Sequence, residues 1–121
     1  ISGSAASIIE FARNAIGTPY VWGGESSAGY DCSGLTQASY RSQGKTLPRT
    51  AAQQYQATTS AKIPYSQAQP GDLLFWGGSG GVYHVAIYTG NGRMIHAPVP
   101  GDVVKEVPVY FSNMMPYVGR M

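Results

Sequence analysis

The apolar residues of this chain change period at Pro64, and that change limits the possible folds more than any other feature. Before it they recur at helical spacing. Ile8, Phe11, Ala12, Ala15 and Ile16 form one stripe, with Ser4 as N-cap and Gly17 and Pro19 as a stop, so residues 1–16 are expected to form an N-terminal helix. Leu35, Ala38 and Ser39 line a narrower face of a second helix that runs from Cys32 to a C-cap at Gly44. "PRTAAQQYQA" (48–57) reads as a third, capped by Thr50. After Pro64 the pattern alternates. "PGDLLFW" (70–76) is a turn into a strand. In "VYHVAIYT" (82–89), Tyr83, Val85 and Ile87 face one way; Val82, His84, Ala86 and Tyr88 face the other. "GNG" (90–92) marks a hairpin and "RMIHA" (93–97) its return. "KEVPVY" and "PYVGRM" read as two short strands, with Pro108 placing the first at a sheet edge. Helices followed by an antiparallel sheet imply an α+β fold.

A length of 121 residues suits one domain, 1–121, which buries roughly two-thirds of its unfolded surface without disulfide or metal. Charged residues make up only 12% and the net charge is +2, with no basic run, which argues against a nucleic-acid partner. No apolar run is long enough to span a bilayer, and no signal peptide is visible. The start "ISGS", without Met, reads as a mature or excised segment of a longer secreted protein.

Chemistry concentrates around the single cysteine. Cys32, in "YDCSGL", opens the second helix, where free N–H groups and the positive dipole end favour a thiolate and offer an oxyanion site. The two histidines, His84 and His96, lie in adjoining strands twelve positions apart. A four-residue turn sets His84 opposite Ala97, and a bulge or a longer loop sets it opposite His96. On a shared face the two rings are neighbours, with Cβ atoms roughly 4.5–8 Å apart. A nucleophile, a base and an orienting group can be built from these three. Each alone has a plainer reading, a buried thiol or a packed imidazole. A Cys/His/His zinc site lacks the short paired ligand spacing such sites usually show.

These residues carry a resemblance. "GTPYVWGG", "DCSGL", "LPRTAAQQ", "PGDLLFW", "HVAIYTGNG" and "IHAP", in this order, resemble the NlpC/p-sixty family of bacterial cell-wall cysteine peptidases from about Gly17 to Tyr117. The overall flavour is similar to mycobacterial and related actinobacterial peptidoglycan hydrolases. The resemblance implies a papain-like fold with Cys32 as nucleophile, His84 as general base and acid, and His96 orienting His84. It also implies cleavage of peptidoglycan stem peptides between γ-linked D-glutamate and meso-diaminopimelate or lysine, with no metal or cofactor. It implies a secreted or cell-envelope location and a monomer, with other cell-wall hydrolases as candidate partners.

Further matched residues have two readings each. Tyr20 lines the acyl pocket and offers its hydroxyl near the oxyanion, or packs against the helix start. Asp31 and Ser33 bind the peptide's amine or backbone, or Asp31 caps the helix. Arg49 pairs with a substrate carboxylate, or with Asp72. Trp22 and Trp76 are core or groove wall. Gly23 and Gly24 permit a backbone turn near the cleft. The competing functions are a wall-binding module that has kept the cleft, and an amidase or acyltransferase using the same thiol.

Overall fold

The computed structural model describes residues 3–121. Helix α1 spans Gly3–Asn14, α2 Cys32–Arg41 and α3 Ala51–Thr58. The strands are β1 (Glu25–Ser26), β2 (Gly29–Tyr30), β3 (Ile63–Pro64), β4 (Leu73–Gly78), β5 (Gly81–Gly90), β6 (Arg93–His96), β7 (Lys105–Pro108) and β8 (Tyr117–Val118). The fold is α+β. Its centre is a four-stranded antiparallel sheet ordered β4-β5-β6-β7, with β7, and Pro108 within it, at one edge. Small two-stranded pairs, β1-β2 and β3-β8, flank it.

The sheet is buried on both faces. Leu73, Phe75, Val85, Ile87 and Ile95 pack with Ile8, Ile9, Ala12, Leu35 and Ala38 of the helices. Leu74, Trp76, Ala86 and Met94 form a second cluster with Val118, covered by Tyr65, Val109 and Met114. This two-faced burial explains why β4 reads "LLFW", a continuous apolar run, where one solvated face would give alternation.

Several expected boundaries shift. Ile1 and Ser2 of the expected first helix lie outside the described residues. Ser4 sits inside the first turn of α1, and Ile16 lies beyond the helix and is 44% exposed. Helix α2 ends at Arg41 with Ser42 as its C-cap; Gly44, with φ of +74°, completes the following turn. Thr50 caps α3 as expected, in a reciprocal capping box with Gln53. The glycine-rich segment 17–31 contains the β1-β2 hairpin.

Two irregularities in β5 set the histidines. At its start, Trp76 pairs with His84 while Gly77 pairs with Val82, so Tyr83 is the extra residue of a bulge. The bulge breaks the alternation: Val82 joins the helix-side core, and Tyr83, expected beside Val85, is 60% exposed. At its end, Tyr88 pairs with Met94 but Gly90 with Arg93, leaving Thr89 as a second extra residue. The Ile87–Ile95 and Tyr88–Met94 pairs define a register that sets His84 opposite neither Ala97 nor His96. The two histidines are diagonal neighbours across the β5-β6 pair, still within side-chain reach.

The chain's end is held by an ion pair that the pattern did not reveal. Asp72, 4% exposed, accepts from Arg120 Nε at 2.9 Å and Nη2 at 2.7 Å, and from the Gln69 N–H at 2.8 Å. Replacing Arg120 by Met leaves that carboxylate buried with one remaining N–H donor. The substitution is expected to lower unfolding free energy by about 2 kcal/mol, measured by urea denaturation. The double variant with Asp72→Asn is expected to recover part of that loss.

Candidate active site

Helix α2 starts where it does because Asp31 caps it. The Asp31 carboxylate accepts from the Gly34 N–H at 2.7 Å and from Ser33 Oγ at 3.3 Å. Arg49 closes the same carboxylate from outside. Its Nη1 donates to Asp31 Oδ1 at 3.1 Å, and its Nη2 to Asp31 Oδ2 at 2.9 Å. Nη1 also donates to Ser33 Oγ at 2.8 Å, and Nε lies 3.7 Å from Glu25. The alternative pairing of Arg49 with Asp72 is therefore ruled out: Arg120 holds Asp72, and Arg49 holds Asp31.

Glycines let the preceding loop lie on the helix start. A Cβ added at Gly34 would strike the Gly24 carbonyl oxygen, and one added at Gly24 would strike the Gly29 carbonyl. Gly23 turns the chain at φ of +74°, as the Gly23-Gly24 pair suggested.

Tyr20, Trp22, Asp31, Cys32, Ser33, Arg49 and Tyr83 line one cleft of about 420 Å³. Five of the predicted site residues are thus brought together there. Trp22 stands on its wall at 84% exposure, whereas Trp76 is fully buried core. Tyr83 was missed because the bulge that turns it outward cannot be read from an alternating pattern. Its one signal is the glycine run "GGSGG" (77–81) just before it.

The thiol of Cys32 lies against the backbone N–H of Val85 and the N–H groups of Cys32 and Ser33. Gly34 N–H and Leu35 N–H are committed to Asp31, which leaves the Cys32 and Ser33 N–H groups of the first turn of α2 to favour the thiolate. They do not decide its protonation. Burial pushes the thiol up from its ordinary value, these donors pull it down less strongly, and the Asp31 charge pushes it up further. The expected lowering by the helix end is outweighed. Tyr20 is also pushed up, by burial and by the Cys32 and Asp31 charges, and stays a protonated phenol.

His84 precedes Val85 in β5, and neither it nor His96 lines the cleft. His84 Nε2 and His96 Nδ1 are 2.9 Å apart, with the residues 7% and 5% exposed. The His84 ring tilts against Trp76 at 5.4 Å between centroids, and the Trp76 indole N–H donates to the Tyr110 carbonyl at 3.1 Å. Burial, and then the His96 ring, hold His84 down at about 4; burial, and then Lys105, hold His96 down at about 4. At neutral pH both imidazoles are neutral. Among the described residues, no group of three or more His, Cys, Asp or Glu is arranged to hold a metal ion.

The sequence matches the NlpC/P60 family over residues 17–119. The chain belongs to that family. It is 40% identical over 126 residues to the peptidoglycan endopeptidase RipA of Mycobacterium tuberculosis, covering 93% of this chain and 26% of RipA. It is 37% identical over 106 residues to the γ-D-glutamyl-L-lysine dipeptidyl-peptidase of Bacillus subtilis, covering 85% of this chain and 35% of that protein. The chain therefore spans about a third or less of the length of these curated relatives. Among solved structures, the NlpC/p60 domain of the peptidoglycan hydrolase SagA superposes with a TM-score of 0.85 at 46% identity, covering 97% of this chain and 98% of that one. RipA has been solved with changes at a cysteine, at a histidine and at a glutamate.

The buried neutral histidines make stability depend on pH. Their folded-state values lie below the ordinary 6.5, so the unfolded chain binds more protons between the two. Stability is complete above about pH 6.5 and falls as pH drops toward 4. The expected loss between pH 7 and 4.5 is on the order of 3 kcal/mol by urea denaturation, and smaller in His96→Gln.

Proposed function

We propose that this chain is a cysteine endopeptidase domain that acts on peptidoglycan stem peptides, cutting between γ-D-glutamyl and meso-diaminopimelate or lysine. The observation that carries this reading is the buried His84–His96 pair, with His84 adjoining the Val85 N–H that faces the Cys32 thiol, at a helix start that opens into a cleft. The names of the relatives support the wall substrate, and the dipeptidyl-peptidase supports the γ-glutamyl bond. They also support work at the cell envelope, outside the membrane. In the described residues no helix is long and apolar enough to cross a membrane. We take residues 1–121 as one domain, acting as a monomer.

The resting site is a neutral thiol beside a neutral imidazole, so attack is coupled to proton transfer. His84 Nε2 is engaged by His96, which leaves Nδ1 to take the thiol proton. As that proton moves, the sulfur bonds to the γ-glutamyl carbonyl carbon and the carbonyl electrons move to oxygen. The Cys32 and Ser33 N–H groups and the Tyr20 hydroxyl serve as donors to this oxyanion. The C–N bond then breaks, and His84 gives its proton to the departing amine of the diamino acid. Water, deprotonated by His84, attacks the thioester. The glutamate leaves as a carboxylate and the thiol regains its proton.

The acid and the base that line the cleft, Asp31 and Arg49, are paired with each other. Arg49 already donates twice to Asp31, so its part is to hold that carboxylate in place and Asp31 and Ser33 face the peptide.

Digestion of defined muropeptides, with products weighed by mass spectrometry, tests the reading. Wild-type chain is expected to release a fragment ending in γ-D-glutamate. Cys32→Ala is expected to be slower by about 10³-fold or more with an unchanged melting temperature. Cleavage that persists at the wild-type rate in Cys32→Ala refutes the assignment.

A further inference from the structure

His96 has charged groups on one side and its catalytic neighbour on the other. Toward β5 its Nδ1 meets His84 Nε2 at 2.9 Å. Toward β7 its register partner is Lys105, whose Nζ lies 2.8 Å from Asp102 Oδ2. Asp102 is fixed in turn by the Val103 N–H, which donates to its Oδ1 at 2.8 Å. The Tyr110 ring lies 6.4 Å from the His96 ring, between centroids. Lys105 and Asp102 are the charges that act on His96, and they act with opposite signs.

The short bond between the rings has two neutral arrangements. Either His84 donates from Nε2 to a bare Nδ1 on His96, or His96 donates from Nδ1 to a bare Nε2 on His84. Only the first leaves His84 Nδ1 free to accept a proton. A protonated His96 carries hydrogen on both nitrogens and forces the second, so the base is lost.

We propose that Lys105 is a positioning residue for the histidine pair: facing His96 across the β6-β7 register and tethered by Asp102, its cation adds to burial in holding His96 in the arrangement whose Nδ1 accepts from His84. The relay this serves rests on His84 being the base, as proposed above. The state of the two rings can be read without any activity.

The measurement is ¹⁵N NMR of the imidazole nitrogens in the whole chain, titrated with pH, in wild type, Lys105→Met, Lys105→Arg and Asp102→Asn. Wild type is expected to carry its ring protons on Nε2 of both histidines. Removing the cation also exposes the Asp102 charge, so Lys105→Met is expected to raise the His96 midpoint by about half a unit to one unit. Lys105→Arg is expected to restore it. Asp102→Asn leaves the cation unopposed and is expected to lower the midpoint. Lys105 is partly exposed at a strand edge, and Lys105→Gln repeats the test if the Met variant folds poorly. Shifts of one sign in both Lys105→Met and Asp102→Asn mark a merely structural effect and overturn the proposal. So does an unmoved midpoint, or a proton on His96 Nδ1.

The acid limb of kcat/KM is expected to move up with the His96 midpoint in Lys105→Met, and a fixed limb overturns the relay. The expected NMR shifts in a chain that cuts no muropeptide support the state assigned to Lys105 and His96, and count against the proposed activity instead.

Discussion

Asp31 ties the glycine-rich loop before it and the start of α2 to the segment ahead of α3, and the cleft lies where they meet. Its carboxylate caps α2, receives Ser33 Oγ, and is gripped by two nitrogens of Arg49 just ahead of α3. The glycine-rich loop lies against the same turn so closely that Gly34 has no room for a side chain. Cys32 is thereby fixed at a helix mouth whose inner N–H groups are used by Asp31 and whose outer ones face the sulfur. Arg49 contributes by holding this corner together, and a charge pair of this kind, partly shielded from water, is worth more than an exposed one.

The electrostatics of the site follow from burial more than from dipoles. A helix N-terminus favours a thiolate by a modest amount and over a short range. Withdrawing the sulfur from water works against charge, as does the carboxylate of Asp31, and together they prevail. The same withdrawal keeps both imidazoles neutral. In the proposed mechanism, a neutral thiol and a neutral imidazole store no ion pair at rest and separate charge only as the substrate is attacked. Oxyanion donors are then most useful at the moment they are needed.

Much of this arrangement is legible from residue order. The change of period at Pro64 separates helices from sheet, Thr50 announces α3, "GNG" announces the β5-β6 turn, and "DCSGL" marks the helix start. What escapes a periodic reading is every point where the period slips. Two extra residues, Tyr83 and Thr89, turn Tyr83 into the cleft, return Val82 to the core and set the histidines diagonally. A bulge leaves no mark in hydrophobic alternation except the glycines that tolerate it. Long-range ion pairing is equally hidden. Arg49 and Arg120 are both plausible partners for either acid, and only the packed chain gives Asp31 to one and Asp72 to the other. Ile16 continued the apolar stripe of α1 on paper, yet it lies past the last turn and faces solvent.

The neutral resting state of the thiol is the claim on which the chemistry turns. It is tested most directly by the rate of Cys32 alkylation by iodoacetamide as a function of pH. A thiol raised by burial is expected to react slowly near neutrality, with a rate still climbing through pH 9, the ordinary thiol value. A rate that has already reached its plateau below pH 7 would show a standing thiolate–imidazolium pair and contradict this account.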